Sequence, residues 1–193
     1  MRLTIYRPNE TEMIKGCIQG NRDAQKRLYD MYSPLMYPVS LRYMKNSMEA
    51  EDVLVIAFTR IFEKINQFKG TGSLEGWIKR IVINEALMHL RKQRTMFVIT
   101  DMDIEEMDCV DDKNHDYLEE EEILTMINEL PSGYRSVFNL YAIDGFSHKE
   151  IATRLGISEN TSKSQFSRAR VFLQKLLMKR EERPNTKQHD VTT

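Results

Sequence analysis

Residues 147–158 read Ser147-His148-Lys149-Glu150-Ile151-Ala152-Thr153-Arg154-Leu155-Gly156-Ile157-Ser158, and that run decides the fold of the second half of the chain. Ser147 and Glu150 match a capping box, in which each side chain satisfies the other's free backbone donor. The short helix they open ends at Leu155, and Gly156-Ile157 makes a tight turn. Ser158 then caps a longer helix whose expected core stripe is Phe166, Ala169, Leu173 and Leu176. A short helix, a tight turn and a longer basic helix make a helix-turn-helix. Two further helices are expected before it. One covers residues 117–130 and stops at Pro131-Ser132-Gly133; the next covers 134–143 and stops at Asp144-Gly145.

In a helix-turn-helix the second helix enters the major groove, and its N-terminal residues meet base edges. Its expected outward stripe is Thr161, Ser164, Gln165 and Arg168, flanked by Lys163 and Arg170. Hydroxyl, amide and guanidinium groups read bases and grip phosphates. Residues 147–180 carry eight basic and two acidic side chains, a surplus that predicts salt-sensitive DNA binding through counter-ion release.

The first half reads as successive amphipathic helices. Over residues 23–44, Leu28, Met31, Tyr32, Leu35 and Val39 recur at helical spacing, and Pro34 and Pro38 are expected to bend or interrupt the stretch. Ser47 offers an N-cap for a helix with Glu49, Glu51 and Asp52 in its first turn. Its apolar stripe is Leu54, Phe58, Ile61 and Ile65. A glycine-bearing loop, Phe68-Lys69-Gly70-Thr71-Gly72-Ser73, separates it from a helix over residues 74–91. There Ile83, Leu87 and Leu90 form the core face. Trp77, Arg80, Asn84 and Arg91 share another face. Aromatics beside cations and an amide suit an unpaired nucleic-acid strand, because bases stack on rings while cations hold the backbone. An amide can also read a base taken out of the stack, and Phe68, Lys69, Gly70 and Ser73 could wall a pocket for it.

Charge is segregated along the chain. Residues 101–122 hold twelve acidic side chains and one basic one, Lys113, a segment charge of −11 against a chain total of −1. The rest of the molecule is therefore strongly basic, which makes nucleic acid the leading partner. The acidic stretch shows no sustained apolar period and reads as a flexible linker. Asp101-Met102-Asp103 with Glu105 and Glu106 lacks the glycine and terminal Glu of a calcium loop, so no metal site is expected. His89, His115, His148 and His189 are scattered and form no catalytic set; no cofactor is expected. Cys17 and Cys109 indicate neither zinc nor disulfide framework. No apolar run approaches the ~20 residues needed to cross a bilayer, and residues 1–10 lack the apolar core of a secretory signal. A cytoplasmic protein without direct membrane insertion is expected.

The ordered motifs resemble those of the extracytoplasmic-function sigma factors of bacterial RNA polymerase. They are Ala50-Glu51-Asp52-Val53 with Phe58, then Phe68-Lys69-Gly70, then Gly76-Trp77-Ile78-Lys79-Arg80-Ile81-Val82-Ile83-Asn84. Leu130-Pro131, Gly145-Phe146-Ser147-His148-Lys149-Glu150-Ile151-Ala152 and Ser167-Arg168-Ala169-Arg170 follow. The resemblance spans roughly residues 23–179 and implies an all-α fold of two small helical domains joined by the acidic linker, the second a helix-turn-helix. The expected boundaries are 1–97, a linker at 98–116, 117–180, and a disordered tail at 181–193. It implies a non-enzymatic initiation factor that joins core RNA polymerase and directs it to promoter DNA. By the same resemblance Asp52, Val55 and Ile56 lie on the polymerase-binding helix. Phe68, Lys69, Ser73, Trp77, Lys79, Arg80 and Asn84 fall where the melted minus-ten strand is engaged, and Arg91, on the face of Trp77, is expected to contact the same strand. Lys163, Ser164 and Arg168 fall at the minus-thirty-five duplex, with Arg135 on a phosphate, and Thr161 and Gln165 of the outward stripe are expected to join them. An anti-sigma partner is also implied.

Some residues depart from the family pattern. Val55 and Ile56 stand where many relatives carry a polar pair, and Ser162 and Gln165 replace a common Val and Arg. A duplex-binding regulator with a sensing or dimerising first domain is the alternative; it would not need the Trp77 face. A metal-dependent enzyme built on Asp101, Asp103 and Glu105 is a more distant one.

Overall fold

The computed structural model describes residues 8–44, 46–92 and 120–181, and among them every regular element is helical. The acidic linker at 98–116, the tail from residue 182 and the acidic metal candidate lie outside the described residues. The chain divides into two compact units, residues 1–98 and 99–193. No described helix is long and apolar enough to cross a membrane.

In the first unit α1 (Pro8–Ile18), α2 (Arg22–Tyr43), α3 (Ser47–Lys64) and α4 (Leu74–Lys92) form a bundle; a 3-10 turn (Ile65–Gln67) follows α3. Helices α2, α3 and α4 pack on one another, and α1 lies on α2. Asn21 caps α2 by accepting from the Ala24 amide at 3.0 Å. Asn46, not Ser47, caps α3: it is extended, and its Oδ1 accepts from the Glu49 amide at 2.8 Å. Ser47 already lies inside the helix, one position too late to reach that donor.

Leu54, Phe58, Ile61 and Ile65 are buried as their spacing predicts, as are Ile83, Leu87 and Leu90. On α2 the buried stripe is Leu28, Tyr32, Met36, Val39 and Tyr43, whereas Met31 and Leu35 face outward. Both readings of α2 fit a helical period; packing against α3 and α4 selects the one shifted by a residue. Nor do the prolines interrupt α2, which stays helical from end to end. Pro34 and Pro38 lack the amide hydrogens that would reach the carbonyls of Asp30 and Pro34. All three residues lie on the exposed side, where solvent can satisfy those carbonyls.

The second unit comprises α5 (Glu120–Glu129), α6 (Ser132–Phe138), a π-helical turn (Asn139–Ile143), α7 (His148–Leu155) and α8 (Glu159–Glu181). Its core gathers Leu130, Tyr134 and Ala169, with Phe138, Phe172 and Leu173 packed against them. The expected single helix over 134–143 starts two residues earlier and widens into the π turn. The capping box at Ser147 is present in full, with the Ser147 amide donating to Glu150 Oε2 at 2.9 Å. Gly156 closes α7 in the left-handed conformation at φ 69°, which a residue with a Cβ adopts only at a cost. On α8 the fully buried positions are Ser162, Gln165 and Ala169, while Phe166, Leu173 and Leu176 are half-buried. That stripe, too, is shifted from the one expected.

Candidate nucleic-acid interface

The first unit carries a cleft of about 410 Å³ between the loop of residues 68–73 and the first turns of α4, lined by Phe68, Lys69, Ser73, Trp77 and Arg80. Ser73 opens α4: its hydroxyl accepts from the Gly76 amide at 3.0 Å. Its carbonyl accepts from the Trp77 amide at 3.2 Å. A Cβ at Gly76 would come within 2.9 Å of Ser73 Oγ, so a larger residue there would have to displace the capping hydroxyl. This start of α4 turns Trp77 towards the loop, where its ring meets Phe68 at 5.7 Å between centroids and 54° between planes. Both rings are only half-buried, and Lys69 and Arg80 at the cleft are exposed. Core residues Leu74, Ile78 and Val82 hold the opposite side of the helix.

The cleft falls within the roughly 300–1,000 Å³ of pockets that enclose small ligands. Two open aromatic faces beside cations can stack a planar base and hold its phosphate. Farther along α4, Asn84 and Arg91 are exposed on the same face. Lys79 points elsewhere and does not line the cleft. Sequence reasoning missed Met88, 44% exposed between Asn84 and Arg91. A polarizable apolar side chain there suits contact with bases. Gln67 and Thr71 also line the cleft; being polar loop residues, they carried no sequence signal.

In the second unit Ser158 caps α8, accepting from the Thr161 amide at 2.9 Å. The Thr161 and Ser158 hydroxyls lie 2.8 Å apart, so Thr161 serves the cap and is half-buried. Lys163, Ser164 and Arg168 are exposed. Lys163 lies 2.8 Å from Glu159, and that hydrogen bond holds the Glu159 carboxyl below its usual range. Such an exposed pair is weak and yields readily to a phosphate.

Two expected duplex contacts are corrected. Gln165 is 5% exposed on the buried stripe of α8, because residues at 162, 165 and 169 share the face that packs inward. Arg135 is 2% exposed and donates from Nη1 to the Asn128 carbonyl at 3.2 Å. It ties α5 to α6 and is too enclosed to grip a phosphate.

The third set lies on α3. Asp52 is exposed, with Val55 at 59% and Ile56 at 46%. They stand opposite the buried Val53, Leu54 and Ala57, and exposed Met48 extends their face. Together they make an exposed apolar face beside a carboxylate.

Residues 28–95 match the family described as Sigma-70 region 2, and residues 120–173 match Sigma-70, region 4. The ECF RNA polymerase sigma factor SigM of Bacillus subtilis is 30% identical over 152 residues, 77% of this chain and 92% of its own length. SigW of the same organism is 28% identical over 181 residues, 85% of this chain and 94% of its own. Among solved structures, the sigma factor RpoE of Bartonella quintana, crystallised with the anti-sigma factor NepR, is 24% identical. It covers 79% of this chain and 96% of its own with a TM-score of 0.51, a likeness of fold.

Proposed function

This chain belongs to the extracytoplasmic-function sigma factors, which direct promoter-specific transcription initiation by bacterial RNA polymerase, and from that membership we propose how its residues divide the work. The cleft of Phe68 and Trp77, rimmed by Lys69 and Arg80, is the observation that carries the division. A base taken out of the duplex enters it and stacks on the rings, while the two cations hold its phosphates. Asn84 reads the strand by its amide, and Arg91 follows the backbone along α4. Binding energy alone favours the open strand.

The second unit reads the upstream element as duplex, with Lys163, Ser164 and Arg168 of α8 in the major groove and Thr161 shaping the helix start. The Asp52, Val55 and Ile56 face takes core polymerase. The Bartonella relative's anti-sigma complex supports a similar partner here, one that would occlude that apolar face. The α4 cleft has no use in a regulator that binds only closed duplex.

Run-off transcription with purified core polymerase, with and without the protein, tests the reading on fragments of its own genome. Start sites that appear only with the protein, preceded by shared minus-thirty-five and minus-ten sequences, are the expected result. If core polymerase neither binds the protein nor gains specificity, the duplex-binding regulator takes its place.

Arg168 yields a sharper outcome on the promoters so found. Arg168→Ala should cost ~1–3 kcal/mol of discrimination at one base pair of the upstream element. A Lys163→Ala change should instead weaken all sequences alike and reduce the salt dependence. Unchanged base preference in Arg168→Ala would remove Arg168 from the recognition surface.

A further inference from the structure

We propose that His148 is a positioning residue for promoter reading, fixing the first turns of α8 through Ser162 and Tyr141 and so the direction in which Lys163 and Ser164 point. The proposal rests on the assignment of α8 to the upstream duplex. Ser162 is fully buried on α8, and its Oγ lies 3.0 Å from His148 Nδ1. A buried hydroxyl deprived of its partner is costly. The imidazole also stacks on Tyr141 of the π turn, 4.2 Å between centroids and 11° between planes. Phe166 of α8 meets Tyr141 at 4.5 Å and stands edge-on to His148 at 5.9 Å. Three elements thus converge on one ring.

The groups around the ring set its response to acid. Lys163 and Glu159 face it from α8 and Tyr141 from the π turn, while Lys149 follows it on α7, whose N-terminus disfavours a cation. Burial first, then Lys163, lowers the His148 pKa, with Glu159 opposing. The folded state therefore prefers the neutral ring. The contribution is complete above the ordinary imidazole range and is lost as pH falls through the lowered value. Acid should loosen the start of α8 and weaken upstream-element reading.

The test uses the full chain assembled with core polymerase, on a promoter fragment mapped by run-off. Binding is compared between the native minus-thirty-five element and a scrambled one. His148→Phe keeps a stacking ring but leaves the Ser162 hydroxyl without its partner. Discrimination should fall roughly tenfold. Adding Ser162→Val removes the need for that partner and should restore discrimination to within about twofold. Between pH of about 7.5 and 5.5 the native protein should lose several-fold discrimination relative to the double variant, in which the lock no longer titrates.

Undiminished discrimination in His148→Phe, no recovery on adding Ser162→Val, or identical pH profiles would each overturn the proposal alone. A native holoenzyme indifferent to the upstream element would overturn the assignment of α8, and this proposal with it.

Discussion

A holoenzyme carrying Trp77→Ala with Asn84→Ala should bind its promoter as a closed complex and fail to open it. Each base stacked on an aromatic ring is worth ~1–3 kcal/mol by alanine substitution, and an amide paired to a base edge has a similar worth. Losing both should lower the open-to-closed ratio by two orders of magnitude or so. Permanganate reactivity of thymines in the melted segment reads opening, and DNase protection of the upstream element reads the closed complex. Trp77 is only half-buried beside Phe68, so the double variant should stay folded. Trp77→Phe keeps a stacking face and should retain most of the opening. Undiminished opening in the double variant would mean that the cleft at the start of α4 does not hold the strand.

Phe58→Ala should have the largest effect on stability. Its ring is 2% exposed at the centre of the first unit, edge-on to Tyr29 at 4.8 Å and near Phe62 at 6.2 Å. Removing a fully buried phenyl costs ~3–5 kcal/mol, transfer and cavity together. That is a large part of the 5–15 kcal/mol a small domain commonly has. The chain has one tryptophan, and it sits in this unit, so tryptophan emission, excited at wavelengths where tyrosine does not absorb, follows the first unit during urea titration. A loss below ~1 kcal/mol would show that the bundle refills the cavity. Phe166→Ala, at a half-buried site in the other unit, should cost less and leave the Trp77 transition in place.

The elements were legible in the sequence because capping boxes, glycine turns and apolar periods act over a few residues. Ser147 with Glu150, Gly156 and the Leu54-Phe58-Ile61-Ile65 stripe needed no tertiary information. What was not legible depended on rotation about a helix axis. Met31 and Leu35 on α2 each sit one position outside the buried stripe, whereas Gln165 on α8 lies within it, and only the neighbouring helix decides which rotation is chosen. Gln165 is polar, so hydropathy assigned it outward; burial of Ser162 became visible only with the His148 ring beside it. Arg135 was misplaced for a related reason, since a guanidinium can serve a buried carbonyl as well as a phosphate. The Phe68–Trp77 cleft was partly legible, because an aromatic near a glycine-bearing loop and a helix start is a local pattern. The Ser73 cap that starts the helix beside it was not read from the sequence.

Pro34 and Pro38 have a consequence before the chain is folded at all. In the bundle they cost α2 two amide donors. In an extended chain, residues 28–43 would present many aliphatic and aromatic side chains, Leu35, Met36 and Tyr37 among them, and without their prolines would approach the composition of cross-β segments. Two prolines four residues apart deny such a stack its ladder of hydrogen bonds. The same residues that leave gaps in the native helix are thus poor members of a cross-β ladder.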